Sequence, residues 1–477
     1  MSKKPANNFS WSTITKTENW AWLLLFVFSL PAFEFHLGDT IDASIRLIQN
    51  LNFAQHPAAL FNAHIPQGPL AFLQYPLPIG ANLSLALFYY ALIKLGILIF
   101  LRKQTIAPAQ AMLLYAAIYL LISPRLLPFC LLVLLLFQAG EKPAFSFSGF
   151  VTLTLVLVLL YTRLSVGILG SALWFVTAFF TTVSKGFPFK ESLQRLLLLV
   201  LLVLFFLTPY LFYSPLETVL SRFWALLHVN AAYSSQLLSL GFFVAVALLL
   251  ILAFMLFGTI SIGPLKKLAL RPHQKGLAFV LVLYALLYFK SRPDAGTYYM
   301  VLNWVLIFFF ALQTLPAKQL WKNTLLWLAV ALLLGEGFLA QGSFKTTEIR
   351  VGAFFSQALK PEGYRQKFHH DNYKKAEILP VGASYLVLDE RLNHWLLEDN
   401  NLLSSPSYLL SLAQNPFLDS LNAAYFTTST APHFVLSQDA LEHSLATSPK
   451  SLAALKKQYQ LVRQEGDILI YQNKSFN

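Results

Sequence analysis

Two clusters of charged residues, far apart in the sequence, carry side chains that together could catalyse the transfer of a chemical group from a phosphate. Asp39 and Asp42 stand three residues apart, a spacing that places both carboxylates on one face of a helix. Lys290, Arg292 and Asp294 lie within five residues of one another at the end of an apolar run, in YFKSRPDAGTYY. A carboxylate can take the proton of an attacking hydroxyl, and cations stabilise the charge of a leaving phosphate.

Each of these groups also has a purely structural interpretation, and both interpretations stay open. Asp39 and Asp42 could cap a helix and interact favourably with its dipole. Arg292 and Asp294 could pair with each other at a turn. Arginine suits a phosphate because its planar fork can hold two oxygens, whereas a lysine near a helix end, such as Lys290, more often extends towards the membrane surface.

Four further residues are candidates for binding a substrate at the same surface. Arg125 and Arg163 stand in very short turns between apolar runs, where charges tend to face a cavity or lipid headgroups. Gln67 and Tyr75, in QGPLAFLQYP, belong to a proline-rich turn that would present an amide and an aromatic ring able to stack on a sugar. The same turn could equally pack the first-loop helix onto the bundle.

The sequence leaves the use of a divalent metal open. His36 and His64 bracket the stretch that contains the two aspartates, but no short spacing typical of metal ligands accompanies them. The run His369-His370-Asp371 is better explained as a solvated loop. Cofactors are therefore unknown, with a divalent metal as the one candidate.

The composition indicates an integral membrane protein. Of the 477 residues, 56% are hydrophobic and 12% charged, whereas soluble domains have about 25% charged residues. The apolar runs must be helices, because barrel strands alternate apolar with polar residues. The formal charge of +13 lies in the first 340 residues and sorts by loop, which indicates orientation in the bilayer and no nucleic-acid partner. Cys130, the only cysteine, excludes an intramolecular disulfide.

Hydropathy predicts an all-α polytopic membrane bundle of about eleven transmembrane helices, with the N-terminus cytoplasmic. The runs on either side of Ser123-Pro124-Arg125 are expected to cross only part of the bilayer each. The predicted spans lie at roughly 19–36, 79–101, 108–123, 126–139, 148–162, 165–184, 196–213, 236–259, 277–290, 299–314 and 324–340.

Two domains are predicted. Residues 1–340 form the transmembrane domain, with a long first outer loop at 36–78, and residues 341–477 form a small C-terminal α/β domain in the periplasm. In that domain SYLVLD and HFVLS are predicted strands, SLAALKKQ a helix, and Glu465-Gly466-Asp467 the turn of a hairpin. The turn-rich segment 360–382 is expected to be a hinge.

This organisation resembles the GT-C class of membrane glycosyltransferases, which combine many spans, an acidic first outer loop, a basic-acidic cluster at a later outer helix end and an outer C-terminal domain. Four stretches are also similar to an uncharacterised family of bacterial multi-pass membrane proteins grouped with that class. They are QGPLAFLQYP (67–76), SPLETVLSRFWALLHVNAAYSSQLLSL (214–240), FKSRPDAGTYY (289–299) and SYLLSLAQNPFLDSLNAAYFTTSTAPHFVL (407–436).

The resemblance implies that a sugar passes from a polyprenyl-phosphate donor to an envelope glycan or lipid acceptor, at the outer face of a bacterial inner membrane. By that pattern Asp39 or Asp42 is the base, and Arg292 and Lys290 face the phosphate. Thr297 departs from the family, which has a histidine shortly after Arg-x-Asp, and this departure puts a proton-transfer role there in doubt.

The alternative is a non-catalytic transporter or a scaffold for envelope polysaccharide assembly. A transporter is expected to hold polar groups near the midplane of broken helices. Here the predicted spans contain almost no charge apart from Lys94 and Glu336. This distribution favours chemistry at the membrane surface.

Overall fold

A computed structural model of the protein describes most of the chain and shows a helical bundle with a small C-terminal sheet. The predicted spans at 236–259 and 324–340 lie outside the described residues. The described residues are 17–33, 41–55, 61, 68–138, 146–184, 186, 189–217, 219–220, 271–291, 295–314, 350–375, 377–387, 396–403 and 416–476.

Apolar helices form the bundle, as their composition requires. Segments 82–102, 164–183 and 192–211 are each long and apolar enough to cross a membrane. The structure therefore confirms a helical membrane protein, while the count of eleven spans stays a prediction. The helices of the first part of the chain are α1 Thr17–Phe28, α2 Ile41–Gln55, α3 Asn82–Arg102, α4 Pro108–Leu121, α5 Leu127–Phe137, α6 Phe147–Thr162, α7 Leu164–Ser184, α8 Phe189–Leu211, α9 Pro272–Ser291 and α10 Ala295–Gln313.

The chain bends sharply between α4 and α5, as the polar Ser123-Pro124-Arg125 stretch predicts. The two helices differ in direction by 116° across this break, so they form a broken span or a re-entrant loop. The backbone N–H of Ser123 donates to the side-chain oxygen of Asn303 on α10, at 3.3 Å. A neighbouring helix thus supplies a hydrogen-bond acceptor at the break, which lipid could not do.

The centre of the bundle is α5, whose sequence LPFCLLVLLLF is apolar on every side. A helix of this kind must be buried all round. Phe129, Cys130 and Phe137 are fully enclosed by neighbouring helices, and so is Trp304 of α10. The helices α5 and α10 thus form a buried core of the bundle.

The C-terminal part forms a mixed five-stranded sheet with the order β2-β1-β3-β5-β4. β1 runs parallel to β2 and β3, while β3, β5 and β4 are antiparallel neighbours. The two strands, the helix and the hairpin predicted from the sequence are confirmed, with Gly466 at a φ of 57° in the turn. The elements are α11 Arg350–Leu359, α12 Pro361–Asn372, β1 Ser384–Val387, β2 Asn401–Leu402, α13 Pro416–Thr428, β3 His433–Ser437, α14 Pro449–Gln458, β4 Tyr459–Glu465 and β5 Ile468–Asn473.

The expected hinge at 360–382 is wrong in its first half, which is the helix α12. Pro361 at the first helical position and Glu362 in the first turn both favour a helix start. His369, His370 and Asp371 therefore lie on a helix and not on a solvated loop.

The sheet rests directly on the first-loop helix α2. Leu47, Ile48 and Leu51 of α2 are almost fully buried and form one core with Tyr385 and Val435 of the sheet. Each buried aliphatic side chain of this size contributes roughly 1.5–3 kcal/mol relative to exposure. The first loop and the sheet consequently lie at the same end of the bundle, which we call the sheet side.

Candidate functional site

The first loop is fixed to the turn between α6 and α7 by backbone contact. Leu70 donates its N–H to the carbonyl of Tyr161 at 2.9 Å, and the Gln74 side chain donates to the carbonyl of Thr162 at 3.2 Å. A Cβ at Gly68 would lie 2.1 Å from the Tyr161 oxygen. Only glycine allows this approach, so the loop and the turn meet in one arrangement.

The same turn reaches the end of α9 and the start of α10. The Arg163 guanidinium lies 3.4 Å from the hydroxyl of Tyr288 and 3.7 Å from the sulfur of Met300. Tyr288 is the first residue of the YFKSRPDAGTYY stretch, and its ring packs 5.3 Å from that of the buried Trp304. Arg163 therefore lies against both helices that flank the predicted Arg292 cluster.

Tyr75 is held between two arginines from separate parts of the chain. The central guanidinium carbon of Arg46, on α2, lies 3.7 Å from the centroid of the Tyr75 ring. That of Arg125, in the break between α4 and α5, lies 3.5 Å from the same centroid. Two planar groups this close to one centroid cannot share a face of the ring, so one guanidinium covers each face.

The position of Tyr75 is set by two buried asparagines. The Asn50 side chain donates to the carbonyls of Arg46 and Tyr75, at 2.8 and 2.9 Å, and accepts from the N–H of Leu77 at 2.9 Å. Asn82, at the start of α3, donates to both oxygens of Asn50 at 2.9 Å. Since Asn50 and Asn82 are fully enclosed, these bonds lock α2, the Tyr75 loop and α3 into one unit.

Three arginines of the described residues thus lie on the sheet side. Arg125 is exposed, while Arg46, Tyr75 and Arg163 are half-buried. Each arginine–tyrosine contact is of the kind that stabilises by about 0.5–1 kcal/mol at an exposed site. A guanidinium that stacks by its face keeps its N–H donors in the plane of the fork, where they can meet anionic oxygens.

The predicted site residues fall into three groups. Arg125, Arg163 and Tyr75 are described and lie on the sheet side, joined through the turns around Gln74 and Thr162. For Asp42 and Lys290 only the helical backbone is described. The residues outside the described part are Gln67, Asp39, Arg292, Asp294, His36, His64 and Glu336.

In this structure the Tyr75 ring contacts two guanidinium groups, and its stacking on a sugar stays a prediction. Sequence reasoning missed Arg46 as a site residue. The sequence signal for Arg46 was its position four residues after Asp42 on a predicted helix, because side chains at that spacing are neighbours on the helix surface.

Among the described residues, no three His, Cys, Asp or Glu side chains are grouped as a metal site requires. The described chemistry of the site is that of arginine and tyrosine. Such a set suits an anionic oxygen ligand.

No protein-family model matches the chain, and no curated protein matches it. Among solved structures, the chain is similar to ArnT from Cupriavidus metallidurans, whose crystal structure contains bound undecaprenyl phosphate. The two chains are 16% identical, with a TM-score of 0.40, and the match covers 97% of this chain and 98% of that one.

Proposed function

We propose that the protein transfers a sugar from a polyprenyl-phosphate donor to an envelope glycan or lipid acceptor, at the membrane surface on the sheet side. The observation that carries the proposal is the stack of Arg46, Tyr75 and Arg125. It joins the acidic first loop to a helix break at the end of the bundle. That level of the membrane is where the phosphate of a lipid carrier lies.

The arrangement of the two arginines favours a multiply charged anion. A phosphate close to Arg46 and Arg125 is attracted by both guanidinium groups, and each arginine offers it paired N–H donors. As the donor bond breaks, charge grows on the phosphate, so the interaction strengthens towards the transition state.

The proposed step is a displacement at the sugar's anomeric carbon. The acceptor oxygen forms the new bond, the bond to the phosphate oxygen breaks, and the polyprenyl phosphate leaves with the electron pair. The acceptor proton passes to a carboxylate of the first loop, for which Asp39 and Asp42 are the candidates. Asp42 belongs to α2, four residues before Arg46.

The end of α9 and the connection to α10 complete the proposed site. Lys290 belongs to α9, and Arg292 and Asp294 belong to the connection. Arg163 contacts a residue on each side of that connection. In the proposal Arg292 and Lys290 face the phosphate together with Arg125. The sheet then stands above the site, where an acceptor would approach.

The alternative function is transport or a scaffold role, and one observation bears on it. Lys94 is buried within a span, with 4% of its surface exposed. Its ammonium donates to the carbonyl of Ser29 and lies 4.8 Å from the ring centre of Tyr119. Since Ser29 follows the last residue of α1, this cation caps a helix that ends inside the bundle.

The proposal is tested with purified protein and a panel of undecaprenyl-phosphate sugars, by measuring release of undecaprenyl phosphate. Wild type should consume at least one donor, and Asp39→Asn, Asp42→Asn and Arg292→Ala separate the base from the phosphate ligand. Lys456→Gln, an exposed change on α14, is the matched control and should keep full activity. No consumption of any donor by wild type would support the scaffold.

A further inference from the structure

The helix α11 exposes its apolar face and buries a polar residue, the reverse of a helix in water. Phe355, Ala358 and Leu359 are exposed, and their i, i+3, i+4 spacing gives one continuous face. Leu359 has 77% of its surface exposed and Phe355 45%. Gln357 on the opposite side is almost fully buried. In a soluble domain the apolar face of such a helix would be buried and the glutamine exposed. The exposed apolar face of α11 therefore fits a hydrocarbon environment.

Two hydrogen-bonded contacts hold this segment at the level where spans end. Gln357 accepts from the N–H of Phe33 at 3.2 Å and donates to the Phe33 carbonyl at 2.7 Å, just beyond α1. Arg365 of α12 donates to the carbonyl of Gly80 at 2.6 Å, just before α3. The apolar face of α11 therefore lies beside the ends of two apolar helices, at the membrane boundary on the sheet side.

Basic residues outnumber acidic ones in the segment that contains this face. Segment 350–375 has six Lys and Arg residues against Glu362 and Asp371. The exposed lysines are Lys360, Lys367, Lys374 and Lys375. An amphipathic helix flanked by lysines is the pattern of a segment that lies in the headgroup region and attracts anionic lipids.

We propose that α11 and α12 form an interfacial anchor that binds anionic phospholipid in the leaflet on the sheet side. The side chains of Phe355 and Leu359 enter the acyl region, while Lys360 and Lys367 contact phosphate headgroups. The anchor fixes the height of the sheet above the membrane. It is independent of the proposed transfer reaction, because it uses none of the residues assigned to that site.

The first experiment measures the depth of α11 in the full-length protein. Cys130 is the only cysteine and is fully buried, so a nitroxide attached in Leu359→Cys reports on that position alone. Val381→Cys, 84% exposed in the turn before the sheet, is the matched control. In nanodiscs the label at 359 should collide more with oxygen than with a water-soluble nickel chelate, and the label at 381 should do the reverse.

The second experiment tests the charge of the lipid. Nanodiscs contain equal phosphatidylglycerol and phosphatidylcholine, and native mass spectrometry counts the lipids that remain bound. Wild type and the control Lys456→Gln/Lys457→Gln should retain phosphatidylglycerol preferentially, whereas Lys360→Gln/Lys367→Gln should retain fewer copies. An aqueous label at 359, or an unchanged phosphatidylglycerol count in the Lys360/Lys367 variant, overturns the proposal. Neither readout depends on transfer activity.

Discussion

In the described part of the chain, cations meet tyrosine rings at two places, and the two places differ in what the cation does. Arg46 and Arg125 stack on Tyr75 at the end of the bundle, at least partly accessible to solvent. Lys94 lies near Tyr119 inside the bundle, almost fully enclosed. A flat guanidinium can rest on a ring and still direct its fork at a ligand, whereas the Lys94 ammonium directs a donor at one carbonyl.

The comparison therefore agrees with the ligand-binding role proposed for the surface cluster and indicates a structural role for the buried one. The lysine belongs to a small polar group, in which the Ser29 hydroxyl lies 2.6 Å from that of Tyr115 and donates to the carbonyl of Phe26 at 2.8 Å. These contacts satisfy the last carbonyl groups of α1, which would otherwise face hydrocarbon. Substituting an arginine of the surface cluster and the buried lysine in separate variants tests this division of roles.

The largest effect is expected for Arg125→Gln. Loss of one charged donor from a phosphate site lowers turnover by roughly 100-fold, the usual consequence of removing a single transition-state contact. Donor turnover and thermal unfolding are measured together. Arg125→Lys is the matched variant and should recover only part of the rate, because lysine lacks the paired donors. A rate within a factor of about two of wild type in Arg125→Gln would remove the arginine from the site.

Lys94→Met should act on stability and leave the donor's KM unchanged. The substitution takes away the donor to the Ser29 carbonyl, and a buried acceptor without a partner costs about 1–3 kcal/mol. Denaturation in detergent, monitored by the reaction of Cys130 with a thiol reagent, measures the change in stability. If Lys94→Met is as stable as wild type, the lysine does not stabilise the end of α1, and the result favours the transport alternative.

Tyr75→Leu should have a smaller effect on stability, because it removes two cation–ring contacts of about 0.5–1 kcal/mol each. Tyr75→Phe keeps the ring and should behave like wild type in a thermal unfolding assay. Equal effects of the two substitutions would mean that the hydroxyl, and not the ring between the guanidinium groups, is what matters.

The smallest effect is expected at Asp419 on α13, which provides a reference in the C-terminal part of the chain, away from both clusters. Burial alone would raise the pKa of Asp419, but hydrogen bonds from the Ser451 hydroxyl and from the N–H groups of Ser451 and Lys450 lower it below its ordinary value. A carboxyl group with a lowered folded pKa stabilises the fold above its unfolded pKa, and this contribution is lost as pH falls through the folded value.

Asp419→Asn should therefore cost about 1 kcal/mol near neutral pH, because a neutral amide replaces the charged acceptor of these hydrogen bonds, and less in acid. Urea denaturation, monitored by the susceptibility of the sheet to proteolysis, gives the difference in free energy of unfolding between the variant and wild type at pH 7 and at pH 3. Asp439→Asn, at an exposed carboxylate in the C-terminal part of the chain, serves as the control. A cost that does not shrink in acid would contradict the assignment.

The sequence predicted those features that depend on local pattern. Turn residues predict the hairpin at Gly466, and short apolar runs predict the strands SYLV and HFVLS. A proline predicts the break at Ser123-Pro124. The stack on Tyr75 could not be read in this way, because Arg46, Tyr75 and Arg125 come from three separate elements. Only the packing of α2 against the loop and the break brings them together.

The placement of α2 beneath the sheet also constrains how the chain is made. Leu47, Ile48 and Leu51 leave the ribosome early, whereas their partners Tyr385 and Val435 are synthesised more than 300 residues later. Throughout that interval the apolar side of α2 has no sheet to cover it. Maturation is therefore complete only when the last segment docks, and a chain terminated before β1 would leave the nascent helix as a target for chaperones and proteases.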